Sequence, residues 1–323
     1  MFKVVFGKEG RNLLQKEKLA VILGPTATGK SHCGIELAKR FRGEIISGDS
    51  MLVYRKMDIG TAKPLPEELE LVPHHLVNIL PPDASYSVAD FQQQASGLIH
   101  QITERGNLPV LVGGTGLYIK ALLEGYQFSG VEENTDLRNQ LETYALEKGR
   151  NALYERLCKE DPASAERLHP NDVRRVVRAL ETALSGECVS RQKHAGLKYD
   201  AVVFGLTMER EFLYERINRR VDRMMERGLV DEVRTLLREG VRPDCLSMKS
   251  LGYRQIAEYL RGRYDRETAV DNIKKGTRHF AKRQITWYKN MPYIQWYYVQ
   301  KDLNYEKIVT DMADTLVQKL KRL

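Results

Sequence analysis

Cysteine is sparse in this chain of 323 residues. The four cysteines, Cys33, Cys158, Cys188 and Cys245, are scattered, with no C-x-x-C pair and no histidine pair beside them. That argues against a zinc module and against a disulfide framework, and makes a reducing cytoplasm the expected compartment. Long apolar runs are missing too. None approaches the roughly 20 residues of a membrane-crossing helix, so no membrane association is expected. Residues 1–17 carry short apolar pieces among many charges and lack the apolar core of a signal peptide; residues 1–18 read as a leading arm with no assigned role. No internal repeat and no low-complexity tract is present. What is left is a globular composition, 42% hydrophobic, long enough for two domains or for one with a large insertion. The 51 Lys and Arg against 43 Asp and Glu give a net charge of +8, which permits nucleic-acid binding without establishing it.

The organising stretch is Gly24-Pro25-Thr26-Ala27-Thr28-Gly29-Lys30-Ser31, a G-x-x-x-x-G-K-[ST] loop. A short apolar strand (19–23) precedes it, and residues 32–41 follow at near-helical spacing, which is the context the motif requires. The glycines let backbone N–H groups converge on one spot. The helix N-terminus adds partial positive charge, Lys30 a full charge, and the Ser31 hydroxyl is a candidate Mg²⁺ ligand. The loop is therefore expected to bind a di- or triphosphate. The alternation of strands and helices around it predicts an α/β fold, a P-loop NTPase-like parallel sheet flanked by helices.

Residues 43–48 read as a second strand that delivers Asp49 to the carboxyl edge of the sheet, beside the phosphate loop. Asp49 is a candidate for holding Mg²⁺ through water, for accepting a proton from a substrate, or merely for capping a helix. Residues 51–66 read as a loop, and 74–80 as a strand whose His74 and His75 suit a strand edge better than a metal site, since no third ligand is near. Ser87-Val88-Ala89-Asp90 has the form of a capping box opening a helix that runs to about Arg105. The strand at 108–112 ends in Gly113-Gly114-Thr115-Gly116, where many phosphate-loop ATPases carry an acidic Mg²⁺ partner. That counts against a motor-type or GTPase-type ATPase. The glycines there allow either close approach of backbone to a ligand or a tight turn.

From 125 to 200 strand signals vanish, and this stretch is expected to be a helical insertion into a core formed by 19–124 and 201–323. In its helix at 171–184, Val173, Val176, Val177, Leu180 and Leu184 share one side. Arg174, Arg175 and Arg178 share the other, with no interleaved acid on that side. Such a face is either solvated or turned toward nucleic acid. Arg191, Lys193, His194 and Lys198 add charge. In the core, a helix at 209–227 points Leu213, Ile217 and Val221 inward and carries Arg216, Arg219, Arg220 and Arg223 on the rest of its surface. Residues 274–289 are basic and tipped with Trp287 and Tyr288, which suits either phosphate contact with base stacking or a surface helix whose Trp packs inward.

The phosphate loop, Ser47-Gly48-Asp49-Ser50, Met57-Asp58-Ile59-Gly60-Thr61-Ala62-Lys63-Pro64, Val112-Gly113-Gly114-Thr115-Gly116-Leu117-Tyr118 and Ala281-Lys282-Arg283-Gln284-Ile285-Thr286-Trp287 together resemble the tRNA dimethylallyltransferases, over about 19–296. The resemblance implies transfer of a five-carbon allylic group from dimethylallyl diphosphate to the exocyclic amine of an adenine beside the anticodon. It implies that residues 24–31 hold the diphosphate with Mg²⁺, that Asp49 is the base, and that Thr115 and Arg220 assist the leaving group. It further implies tRNA contacts at Asp49, Ser50, Met51, Leu52, Arg174, Arg175, Arg178, Lys282, Arg283 and Gln284, with the insertion gripping the anticodon stem-loop. Some eukaryotic members carry a C-terminal zinc finger. With Cys245 the last cysteine, the chain looks like the shorter bacterial form, and a monomer is expected. A small-molecule kinase, a prenyltransferase of free adenine nucleotides and an RNA-binding protein with a relic loop are the rival readings.

Overall fold

A computed structural model describes residues 16–128, 134–185 and 196–320. The elements in order are β1 (Lys18–Leu23), α1 (Lys30–Arg40), β2 (Gly43–Ser47), α2 (Pro66–Leu71), β3 (His74–His75), α3 (Val88–Glu104), β4 (Leu108–Gly113), α4 (Gly116–Glu124), α5 (Thr135–Lys148), α6 (Arg150–Glu160), α7 (Pro162–Ala165), α8 (Val173–Leu184), β5 (Asp200–Thr207), α9 (Arg210–Glu226), α10 (Leu229–Arg238), α11 (Tyr253–Leu260), α12 (Arg266–Tyr288), β6 (Ile294–Tyr298) and α13 (Tyr305–Leu320).

The strands form one parallel sheet in the order β3-β2-β4-β1-β5-β6. β1 lies inside it, paired with β4 and β5 along its length. Its side chains alternate between two apolar layers, as a strand covered on both faces must. Leu19, Val21 and Leu23 pack with the layer that holds Phe91, Ile99, Tyr118 and Tyr288, while Ala20 and Ile22 pack with Ile35, Leu37, Ile217 and Met312. This is the α/β fold expected from the phosphate-loop pattern. No helix among the described residues is long and apolar enough to cross a membrane.

The described residues divide into two compact units, one up to Glu124 together with those from Leu197 onward, the other between Gly125 and Gly196. The second is all helix, with its own core of Leu141, Leu153, Leu157, Val176, Val177 and Leu180. Residues 197–200, placed by the sequence in the insertion, side with the first unit instead. The Lys198 N–H donates to Leu123 O (2.7 Å), Tyr199 shares a hydrogen bond with Ser96 (2.9 Å), and Asp200 opens β5. At the other end, Asp200 N–H bonds Glu17 O (2.9 Å), so the sheet begins within the expected leading arm; residues 1–15 lie outside the described residues. The strand expected at 74–80 stops after His75, because Leu76 (φ 60°) and Asn78 (φ 57°) take left-handed conformations that no strand can continue.

Local rules explain the helix boundaries that were readable. Ser87 Oγ accepts from Asp90 N–H (3.2 Å), and Asp90 Oδ2 accepts from Ser87 N–H (2.8 Å), the reciprocal box expected at the start of α3. The amino end of the sheet is held by a cluster the sequence did not disclose. Glu44 on β2, with its side chain 6% exposed, accepts from Arg105 (3.0 and 2.7 Å), Asn107 (2.8 Å) and His75 (2.7 Å). The hydrogen bond from Arg105 is the largest cause that holds its carboxyl well below the usual range, at about 2 against 4.5. Because the folded value is depressed, the stability it confers is present above pH 4.5 and is lost as pH falls toward 2. Replacing Glu44 by Gln is expected to cost about 2 kcal/mol at neutral pH and to flatten the acid limb of stability. Urea titrations between pH 7 and 3 check this; an unchanged acid limb refutes it.

Candidate active site

At the carboxyl edge of β1 the chain turns through residues 24–29 before α1 begins. Gly24 (φ 152°) runs so close to β5 that a Cβ would sit 2.5 Å from Leu206 O, and Gly29 (φ 92°) caps α1. Ala27 sits at φ 66°, a region that a residue with a side chain enters only when its surroundings hold it there. The surroundings do so through the carbonyls. Thr28 Oγ1 and Lys30 Nζ donate to Pro25 O (2.8 and 2.7 Å), Arg216 Nε to Ala27 O (2.8 Å), the Tyr305 hydroxyl to Thr28 O (3.1 Å) and the Tyr288 hydroxyl to Gly24 O (3.2 Å). Carbonyls tied in this way leave loop N–H groups and the α1 N-terminus for an anion.

Asp49 follows β2, half-buried. Its Oδ1 accepts from Met51 N–H (2.9 Å). Burial pushes its pKa up, opposed by the backbone N–H groups of Met51 and Leu52 and by the positive charges of Lys30 and Arg220. Burial likewise drives Lys30 down to about 7, with repulsion from Arg220 adding to the fall and attraction to Asp49 opposing it. Arg220 on α9 donates to Thr26 Oγ1 (3.1 Å), and burial followed by Arg216 lowers its pKa. Asp49, Lys30 and Arg220 thus form one electrostatic group at the loop. Thr115 is tied to the same edge: its Oγ1 accepts from Ser50 N–H (3.1 Å) and its N–H donates to Gly48 O (3.2 Å). Ser50, Met51 and Leu52 form the half-buried turn that begins at Asp49.

Gln284, among the residues expected to meet tRNA, is buried, and both ends of its amide have partners within the protein: Oε1 accepts from Thr26 N–H (2.9 Å) and Nε2 donates to Gly114 O (2.8 Å). Beside it the Tyr288 hydroxyl bonds Gly24 O and Gly114 O (3.2 and 2.8 Å). Trp287 packs on Gly116, so the aromatic end of α12 faces inward. The glycines after β4 are closely packed: a Cβ at 113 or 114 would strike Gly48 or Gln284, and one at 116 would lie 3.1 Å from Trp287. Lys282 and Arg283 on the same helix are exposed.

One sequence expectation is corrected on α8. Its apolar side buries Val176, Val177 and Leu180, but Leu184 is 38% exposed. The arginine side is not free of acids. Buried Glu181 accepts from Arg178 (2.5 Å) and Arg138 (2.9 Å), and Arg175 pairs with Asp172 (3.4 Å). Arg174 is exposed and pairs with no acid among the described residues. Arg191, Lys193 and His194 lie outside the described residues.

Mg²⁺ fits the donors that are present. Ser31 is exposed in the first turn of α1, and Asp49 supplies a carboxylate. No group of three or more His, Cys, Asp or Glu able to hold a metal occurs among the described residues. Such a set suits Mg²⁺ completed by phosphate oxygens and water better than an all-protein cage. Arg216, Tyr288 and Tyr305 were missed as site residues. Only the spacing of Arg216 and Arg220, one helical turn apart, signalled that two guanidinium groups share a face.

The family model described as IPP transferase matches residues 52–291, and that described as isopentenyl transferase matches 17–78. A tRNA dimethylallyltransferase of Halalkalibacterium halodurans is 46% identical over 310 residues, covering 94% of this chain and 98% of its own length. One of Carboxydothermus hydrogenoformans is 48% identical over 303 residues, covering 91% and 97%. Among solved structures, the full-length tRNA isopentenylpyrophosphate transferase of Bacillus halodurans aligns with a TM-score of 0.71 at 47% identity, covering 95% of this chain and 99% of that one. A eukaryotic dimethylallyltransferase acting on tRNA aligns with a TM-score of 0.82 at 29% identity, covering 95% and 80%. With its fold, its loop and nearly all of its length matched, the chain belongs to the tRNA dimethylallyltransferase family.

Proposed function

We propose that this protein is a prenyltransferase that moves a dimethylallyl group from dimethylallyl diphosphate to the N6 amine of the adenine 3′ to the anticodon in tRNA, releasing diphosphate. The observation that carries this reading is the desolvated Asp49 carboxylate set beside Lys30 and Arg220 at the phosphate loop. A base and an anion-stabilising pair within one small volume are what an alkyl transfer to a weakly nucleophilic amine needs. The relatives' names, which state dimethylallyl transfer to tRNA, support it.

The donor's diphosphate would occupy the loop of residues 24–31. As the allylic C–O bond breaks, charge develops on the leaving oxygen. Lys30 and Arg220, already fixed in place, stabilise it without reorganisation. The adenine N6 lone pair is delocalised into the ring, so the amine attacks only as its positive charge is relieved. The C–N bond forms, and the N6 proton passes to Asp49. A raised carboxylate pKa makes that transfer more favourable than an ordinary aspartate would. Thr115 keeps the Asp49 turn against the edge of β4. The target base must leave its stack to reach a carboxylate so placed. Arg174 in the helical unit, and Lys282 and Arg283 on α12, would hold phosphates of the RNA. Mg²⁺ bound at Ser31 and the diphosphate oxygens would supply further charge for the leaving group.

Mass spectrometry of tRNA incubated with the protein and donor is expected to show a gain on one adenine. Asp49→Ala should lower kcat by ~10²–10⁴-fold while tRNA affinity holds. Phosphate transfer from ATP, or full activity in the variant, would refute the reading. A second expectation follows from Lys30. Held near 7 in the free protein, it is partly neutral at pH 7.5, and a bound diphosphate favours its charged form. Calorimetry of pyrophosphate binding in buffers of different ionisation enthalpy should therefore show more proton uptake, or less release, for wild type than for Lys30→Met; the same proton count in both would contradict the assignment.

A further inference from the structure

Two side chains hold the phosphate loop from its outer side, and neither takes part in the mechanism above. We propose that Arg216 and Tyr305 are a positioning pair for the donor diphosphate, fixing the peptides of Ala27 and Thr28 so that their carbonyls stay turned away from the anion. This rests on the reading that the diphosphate occupies the loop.

The geometry is that of a closed chain of donors and acceptors. Arg216 Nε donates to Ala27 O (2.8 Å) and its terminal nitrogen to the Tyr305 hydroxyl (3.2 Å), which itself donates to Thr28 O (3.1 Å). The hydroxyl thus uses its one proton and one lone pair in opposite directions. The two carbonyls belong to the segment where Ala27 sits at φ 66°. Released from their donors, these peptides can relax from that strained conformation, and a rotated peptide presents an oxygen to the bound anion where an N–H belongs. The chain of bonds opposes that rotation.

Each partner is itself fixed. Arg216 lies over the Phe212 ring (5.7 Å) and one turn before Arg220, which reaches the loop's Thr26 (3.1 Å). The Tyr305 ring fills the space that a side chain at Gly29 would need, 2.4 Å from such a Cβ. Its helix, α13, is moored to α1 by Ile308 and Met312 in the layer that includes Leu37, and by Arg40 to Thr310 (3.1 Å). Tyr305 also lies beyond residue 291, where the family match ends.

The test is pyrophosphate binding to the whole protein by calorimetry, with steady-state kinetics for donor and tRNA, on wild type, Arg216→Ala, Tyr305→Phe and the double variant. Arg216→Ala should weaken pyrophosphate binding ~10-fold and Tyr305→Phe less. The double variant should fall close to Arg216→Ala alone, because the two act as one unit. Donor KM should rise, while tRNA KM and melting temperature hold. Wild-type binding with undiminished binding in every variant overturns the pair's role. Losses that follow melting temperature and affect both substrates equally overturn it too, by making the pair general scaffolding. Failure of wild type to bind pyrophosphate overturns the diphosphate reading itself, and the pair's role with it.

Discussion

A single buried carboxamide joins the two edges of the site. Gln284 spans from the Thr26 N–H of the phosphate loop to the carbonyl of Gly114, and Tyr288 repeats the span one turn later on the same helix. The loop after β1 and the turn after β4 are thereby held at a fixed separation. Asp49 is carried by β2, which pairs with β4. The distance between the proposed base and the proposed anion site is therefore set by α12 and the sheet together. A buried amide with both ends satisfied specifies geometry strongly, since losing either bond would strand a polar group away from water.

Around that frame the charges are deliberately crowded. Lys30, Arg216 and Arg220 lie near one another with Asp49 as the opposing charge; burial first, then repulsion from Arg220 at Lys30 and from Arg216 at Arg220, lowers the basicity of Lys30 and Arg220. Such an arrangement is costly without an anion and favourable with one. It is held because α9 is fixed by apolar contacts in both layers: Leu213 and Ile217 pack in one, Val221 and Met225 in the other.

The sequence disclosed what local rules govern. The phosphate loop, the capping box at Ser87, the alternation of strands and helices and the amphipathic α8 all rest on neighbours within a few residues. It was misleading wherever a side chain answers to a distant one. Gln284 reads as a polar residue in a basic helix, and nothing nearby reveals that its partner is Thr26. Glu44 sits in an apolar strand and finds Arg105 only after the sheet forms. Glu181 reads as one more charge on α8 until Arg138, on a different helix, is brought beside it. The short β3 failed for a different reason: Leu76 and Asn78 adopt backbone conformations that composition does not forecast.

The phosphate loop is written early in the chain, yet its fastening bonds come from residues 258 and 277 positions later. During synthesis the glycine turn must wait, unfastened, while more than two hundred residues are added. β1 likewise gains its β5 neighbour only after the helical unit between them has been made. Contacts of such wide sequence separation carry a large loop-closure cost and form late. A growing chain therefore completes the bonds around its oldest segment last, once α12 and α13 have been made.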